Sequence, residues 1–138
     1  MSTYVDSSVL LRCVLGEPGA LRLADLDPGH TSALTGVECL RTLDRLYAKG
    51  RLSADDLAVR RAAVLDLLEA LEVVDLSASV LRRAAEPFPT PLGTLDALHL
   101  ATALLWRERH PRDGAAFATH DAELGRAARA CGLDVTGV

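Results

Sequence analysis

The sequence predicts an α/β protein, a three-layer α/β/α sandwich built on a central, mostly parallel sheet. Three observations lead there. Short β-branched or small-residue stretches alternate with longer amphipathic ones along the whole chain, the pattern of β-α-β units that lay strands side by side in parallel. Aspartates stand at several switches from strand to helix, where a carboxylate caps the helix. With 138 residues, 49% of them hydrophobic, the chain can bury a core without disulfides or metal staples. One domain over residues 1–138 is the expectation.

Taken in order, residues 3–5 read as a short strand, and Asp6-Ser7-Ser8 then opens an apolar segment, 9–14, that suits a helix. A second helix is expected over 21–26, followed by the turn signal Asp27-Pro28-Gly29 and a brief strand at 30–32. In the next helix Leu34, Val37, Leu40, Leu43 and Leu46 recur at helical spacing, with Glu38, Arg41 and Arg45 on a neighbouring polar stripe and Gly50 as the stop. Ser53-Ala54-Asp55-Asp56 starts another helix, whose Leu57, Val64, Leu67, Leu68 and Leu71 form an apolar face. A strand is expected at 72–76, then a short helix capped by Ser77. Proline and glycine cluster over 87–93 as a loop feeding the most apolar helix, 95–109, which belongs at the centre. Residues 115–118 make a strand, Asp121 opens the last helix, and 133–135 adds an edge strand.

Composition narrows the function. Cys13, Cys39 and Cys131 are odd in number and form no C-x-x-C pair, so neither a disulfide framework nor a zinc site is indicated. Buried or idle thiols in a reducing, cytoplasmic setting are expected. The first residues carry no positively charged leader, Asp6 and Arg12 interrupt the apolar stretch, and no stretch is long enough to span a bilayer. Net charge is −4 and Lys49 is the lone lysine, which argues against a nonspecific, whole-surface nucleic-acid binder.

The carboxylates carry the chemistry. Loops at the carboxyl ends of parallel strands gather on one edge, where such folds bind ligands, and Asp6 and Asp121 occupy such positions. Asp96 lies in the first turn of the central helix and Glu38 early in an apolar one, so all four can face one cleft. Crowded carboxylates raise one another's pKa, and a divalent cation reverses that repulsion. Oxygen-only ligands favour magnesium or manganese over zinc, and the chemistry suited to such a cluster is phosphodiester hydrolysis. No serine or cysteine nucleophile is then required. The alternative stays open on spacing alone: each aspartate can be simply a helix cap or first-turn residue, and Glu38 can pair with Arg41 one turn away.

Four segments, V-D-S-S at 5–8, the glutamate at 38, L-D-A-L-H-L-A at 95–101 and T-H-D-A-E-L at 119–124, occur in the order seen in PIN domains, and the whole chain resembles a VapC-type toxin. The 95–101 segment is the most specific. That resemblance implies a Mg2+- or Mn2+-dependent endoribonuclease in which Asp6, Asp96 and Asp121 bind metal directly or through water. Glu38 completes the cluster as a ligand or as the orienter of the attacking water, with Ser7 and Thr119 as polar groups behind the ligands. It also implies a homodimer blocked by a cognate antitoxin whose C-terminal segment lies in a groove beside the site.

Leu10, Leu11, Val14 and Leu15 are candidates to line that groove, with core burial as the plainer explanation. Arg12, Arg41, Arg45, Arg82 and Arg83 are candidate RNA contacts. His99 shares a helix face with Asp96 and is expected to be packed or behind the ligands. His120 is expected in an exposed turn without a role, and Trp106 in the core. A haloacid-dehalogenase-like phosphatase lacks its D-x-D here, and a receiver domain lacks its paired acids and late lysine. A PIN nuclease of RNA maturation without an antitoxin and a noncatalytic PIN-like module remain as alternatives.

Overall fold

The computed structural model describes residues 1–138 as five strands and six α-helices. Strand β1 (Thr3–Val5) ends at Asp6, which caps α1 (Ser7–Val14) by accepting from the Ser8 amide. The helix expected over 21–26 is only a 3-10 turn, Leu23–Leu26, with no side-chain cap at Arg22. So short a run gains too few hydrogen bonds to offset nucleation of an α-helix. Strand β2 (Gly29–Ser32) leads through the Ser32 cap into α2 (Ala33–Ala48), and Gly50, at φ +72°, stands just past its end as the left-handed stop.

Ser53 and Asp56 close a reciprocal capping box that starts α3 (Ala54–Glu69). Strand β3 (Glu72–Val74) is shorter than expected because Ser77 N bonds the Asp75 carbonyl at 2.9 Å and turns the chain out of the sheet. Helix α4 (Ala78–Ala85) follows the Ser77 cap, and α5 (Thr94–Arg109) follows the proline-rich loop. Strand β4 (Ala116–Ala118) then leads to Asp121, the cap of α6 (Ala122–Ala130). The last strand, β5 (Asp134–Thr136), begins one residue later than expected, because the Leu133 amide is used at 3.0 Å on the Ala128 carbonyl to close α6.

All pairings are parallel, in the order β3-β2-β1-β4-β5. Alternation along the strands divides the core. Tyr4 and Phe117 face α5 and α6 with Leu100, Leu104, Leu124 and Ala128, whereas Val5 and Ala118 face α1, α2 and α3 with Val9, Leu10, Cys39, Leu43 and Val64. Helix α4 packs on α5, which completes the three layers. From β1 the chain first winds outward to β2 and β3, then returns to build β4 and β5 on the other side. The crevice between β1 and β4 is therefore the topological switch point of the sheet.

Two apolar assignments shift. The buried line of α2 is Thr35, Cys39 and Leu43, and Val37 is 59% exposed, so the helix is rotated from the simple leucine stripe. Trp106 is half-buried in a stack between the His30 and His110 rings, at 4.0 and 4.1 Å between centroids.

Candidate active site at the switch crevice

Asp6 leaves β1 where the sheet changes direction, 3% exposed. Its Oδ2 accepts from the Ser8 amide at 3.3 Å, the Ser8 hydroxyl at 2.6 Å and the Thr119 hydroxyl at 3.0 Å. Its Oδ1 faces His99 Nε2 at 3.4 Å and the Ser7 hydroxyl at 3.5 Å. A helix cap needs one acceptor for one or two amides. This carboxylate is surrounded well beyond that need.

Thr119 ties the second acid to the first, since its hydroxyl donates to Asp6 and accepts from the Asp121 amide at 3.0 Å. Asp121 caps α6 through Oδ1 alone, which accepts from Glu123 N at 2.9 Å and Leu124 N at 3.1 Å. Glu38 does not pair with Arg41, which instead bonds Asp44 at 2.9 Å; Glu38 Oε1 accepts from His99 Nε2. Asp96 opens α5 one turn before His99.

The acids lie within one another's electrostatic reach. Burial first, then the charges of Asp121 and Asp6 with a smaller push from Glu38, raise Asp96 to about 6, against a lowering by His99. For His99, burial pulls the pKa down, but the Glu38 hydrogen bond and the charges of Asp6, Glu38 and Asp96 outweigh it and leave the imidazole above its ordinary value. No three His, Cys, Asp or Glu side chains converge on one cation position, because Asp6 and Asp121 each give an oxygen to the amides opening their helices and Glu38 turns to His99. The donor set is nonetheless all oxygen, anionic and mutually repulsive, which in charge and hardness fits a divalent cation of the magnesium or manganese kind.

The sequence reading missed three participants. Ser8, not Ser7, is the main hydroxyl on Asp6, and it also accepts from the His120 amide at 2.9 Å. A D-S-S cap places both serines in the first helical turn, and Ser7 is the more buried of the two while Ser8 makes the shorter bond to Asp6. His120 is half-buried rather than in an exposed turn: its Nε2 accepts from Leu21 N at 3.3 Å and its Nδ1 lies 3.1 Å from the Gly137 carbonyl, pinning two loops beside the acids. Tyr4 lies in the stretch 3–5, whose pattern signals only a strand, yet its hydroxyl lies 2.6 Å from His99 Nδ1.

Beside Glu38 runs a cleft of about 250 Å³ lined by Ser7, Leu11, Leu34, Val37, Leu95, Arg41 and Arg45. Of the leucine-rich positions in α1, Leu10 and Val14 are core, and Leu11 reaches this cleft. Arg12 lies against Glu17 at 3.7 Å, whereas Arg82 and Arg83 stand on α4 and do not line the cleft. Larger hollows, of about 310 Å³ near Leu23 and Leu67 and about 400 Å³ between β3 and α5, contain none of the four acids.

The sequence profile of the PIN domain matches residues 3–130. The chain belongs to the PIN-domain family. This PIN domain is 36% identical over 137 residues to Ribonuclease VapC46 of Mycobacterium tuberculosis, covering 96% of this chain and 94% of the relative. It is 34% identical over 139 residues to Ribonuclease VapC35 of the same species, covering 96% and 93%. Among solved structures, a toxin-antitoxin complex from Klebsiella pneumoniae contains a chain with TM-score 0.65 and 16% identity, covering 98% of this chain and 96% of that one. At that identity the likeness is one of fold.

Proposed function

We propose that this PIN domain is a Mg2+- or Mn2+-dependent endoribonuclease, the toxin of a toxin-antitoxin pair, hydrolysing RNA phosphodiester bonds at Asp6, Glu38, Asp96 and Asp121. The observation that supports the reading is that Asp6 and Asp121 follow the adjacent strands β1 and β4 and that their charges, after burial and with a smaller push from Glu38, raise the Asp96 carboxyl to about 6. Near full-length relatives named Ribonuclease VapC support it.

Asp6, Asp96 and Asp121 would hold the cation, Asp6 being oriented by Ser8 and Thr119 and Asp121 by its helix cap. A divalent cation there supplies positive charge for a phosphate oxygen and for the negative charge that develops during hydrolysis. Glu38, held by one oxygen, keeps the other to orient a water. Arg41 and Arg45, on the same wall of the cleft, are placed to meet RNA phosphates, where a bidentate guanidinium binds best. The apolar cleft lining of Leu11, Leu34, Val37 and Leu95 suits an antitoxin segment lying beside the site. The reading includes a homodimer acting in the cytoplasm.

Protein freed of any inhibitor is expected to cut structured RNA with Mg2+ or Mn2+ and to stop on chelation. Asp6→Asn and Asp96→Asn are expected to lose cleavage with the fold intact, and to lose the growth arrest that the wild type causes when expressed in a bacterium. Cleavage that persists in chelator or in both variants would overturn the assignment.

A further inference from the structure

His99 is an imidazole with no solvent exposure, in an apolar helix where a leucine would pack more simply. Burying so polar a ring is costly unless its nitrogens are bonded. Both are. Nε2 faces two carboxylates, Glu38 Oε1 in a hydrogen bond and Asp6 Oδ1 at 3.4 Å, so it carries a proton in either charge state of the ring. Nδ1 meets the Tyr4 hydroxyl at 2.6 Å.

Tyr4 is itself enclosed by the core. It lies on the central strand β1, fully buried, with its ring stacked on Phe117 at 5.1 Å and edge-on to His99 at 6.0 Å. Its hydroxyl therefore fixes the imidazole from the middle of the sheet, and the imidazole fixes carboxylates that arrive from different elements, the end of β1 and helix α2. One N–H, bonded to Glu38 and standing 3.4 Å from Asp6 Oδ1, holds the two anions in place relative to each other. Glu38 keeps its second oxygen free for the crevice, and Asp6, whose Oδ2 is saturated by Ser8 and Thr119, keeps the less engaged Oδ1.

We infer that His99, held by Tyr4, is a positioning residue of the metal site: it orients Glu38 and Asp6 so that they take up a divalent cation in one defined arrangement. This rests on the metal-site reading above. Outer partners that orient ligands in this way typically influence metal affinity by about 10–100-fold. A packing role alone would make His99 and Tyr4 matter for stability and leave cation affinity unchanged.

The test uses Mn2+ alone as probe, with binding followed by calorimetry and by the electron paramagnetic resonance of the ion, and melting recorded in chelator. His99→Leu removes that N–H donor and is expected to weaken Mn2+ binding about 10–100-fold and broaden the bound-ion spectrum. His99→Gln returns an N–H donor and is expected to recover part of that affinity. Tyr4→Phe deletes only the hydroxyl, keeps the stack on Phe117, and is expected to weaken binding severalfold; it carries the test if His99→Leu does not fold. Asp96→Asn serves as the control for the metal site itself. Wild-type Mn2+ affinity in folded His99→Leu, or failing that in Tyr4→Phe, while Asp96→Asn loses binding, would overturn the positioning role alone. Absence of Mn2+ uptake by the wild type would overturn both it and the metal site.

Discussion

Replacing Asp96 by Asn separates a helix-start residue from a member of a repulsive acid cluster, because the two roles predict opposite signs. In the folded protein the carboxyl titrates at about 6, against 3.8 for an ordinary aspartate, chiefly through burial and the charges of Asp121 and Asp6. At 1.36 kcal/mol per pH unit that rise corresponds to about 3 kcal/mol of destabilisation once the group ionises. Asp96 is only half-buried, and solvent screening reduces the figure to about 1–2 kcal/mol. Asn also forfeits a favourable first-turn charge worth about 0.3–1 kcal/mol.

The net expectation in chelator at pH 7 is therefore a gain of about 1 kcal/mol, or about 3–5 °C in melting temperature for a chain of this size. The folded state holds the Asp96 proton to higher pH than the unfolded chain does. Wild-type stability relative to the variant should accordingly fall as pH rises from 3.8 through about 6 and level off above. Divalent cation reverses the ranking: at a hundred times its dissociation constant Mn2+ stabilises the wild type by about 2.7 kcal/mol and leaves the variant nearly unmoved. Urea titrations of both proteins, with chelator and with Mn2+, read all of this. A variant less stable than the wild type in chelator by more than about 1 kcal/mol, beyond the first-turn loss, would refute the cluster argument.

Other expectations follow from single contacts. His30 is 2% exposed, its Nε2 has no partner, and burial, with the charge of His110, pushes its pKa down to about 4. The unfolded chain takes up that proton near 6.5, so stability should drop by up to about 3 kcal/mol as pH falls from 6.5 to 4, a slope that His30→Phe removes in urea titrations. His99, raised in the folded state, contributes stability that is present below pH 6.5 and lost as pH rises through its folded pKa; His99→Gln should flatten that decline. Ser53→Ala breaks the capping box of α3 and should cost about 1 kcal/mol in denaturant melts, equally with and without divalent cation.

The sequence by itself determined the periodicities and the caps. Asp6, Ser32, Ser53, Ser77 and Asp121 all start helices where local chemistry says they should, since a cap depends only on a side chain and the amides two or three residues on. Asp6, Asp96 and Asp121 stood out as candidates for the same reason, each standing at a strand end or in the first turn of a helix, whereas Glu38 lies within α2. The ends of β3 and β5 moved because the Ser77 and Leu133 amides were claimed by neighbouring turns, a competition that periodicity does not register. The contacts of Ser8 with Thr119 and His120, and the outward turn of Val37, depend on how a helix sits against its neighbours.

Only the tertiary structure decided that β1 and β4 are adjacent, with the chain winding away on either side, and this puts Asp6 and Asp121 across one crevice although 115 positions separate their numbers in the chain. It alone decided that Tyr4 reaches His99, and His99 reaches Glu38 and Asp6. Such contacts follow from how layers close over a sheet. They arise from the packing of distant apolar faces, which a local pattern of residues can demand but cannot arrange.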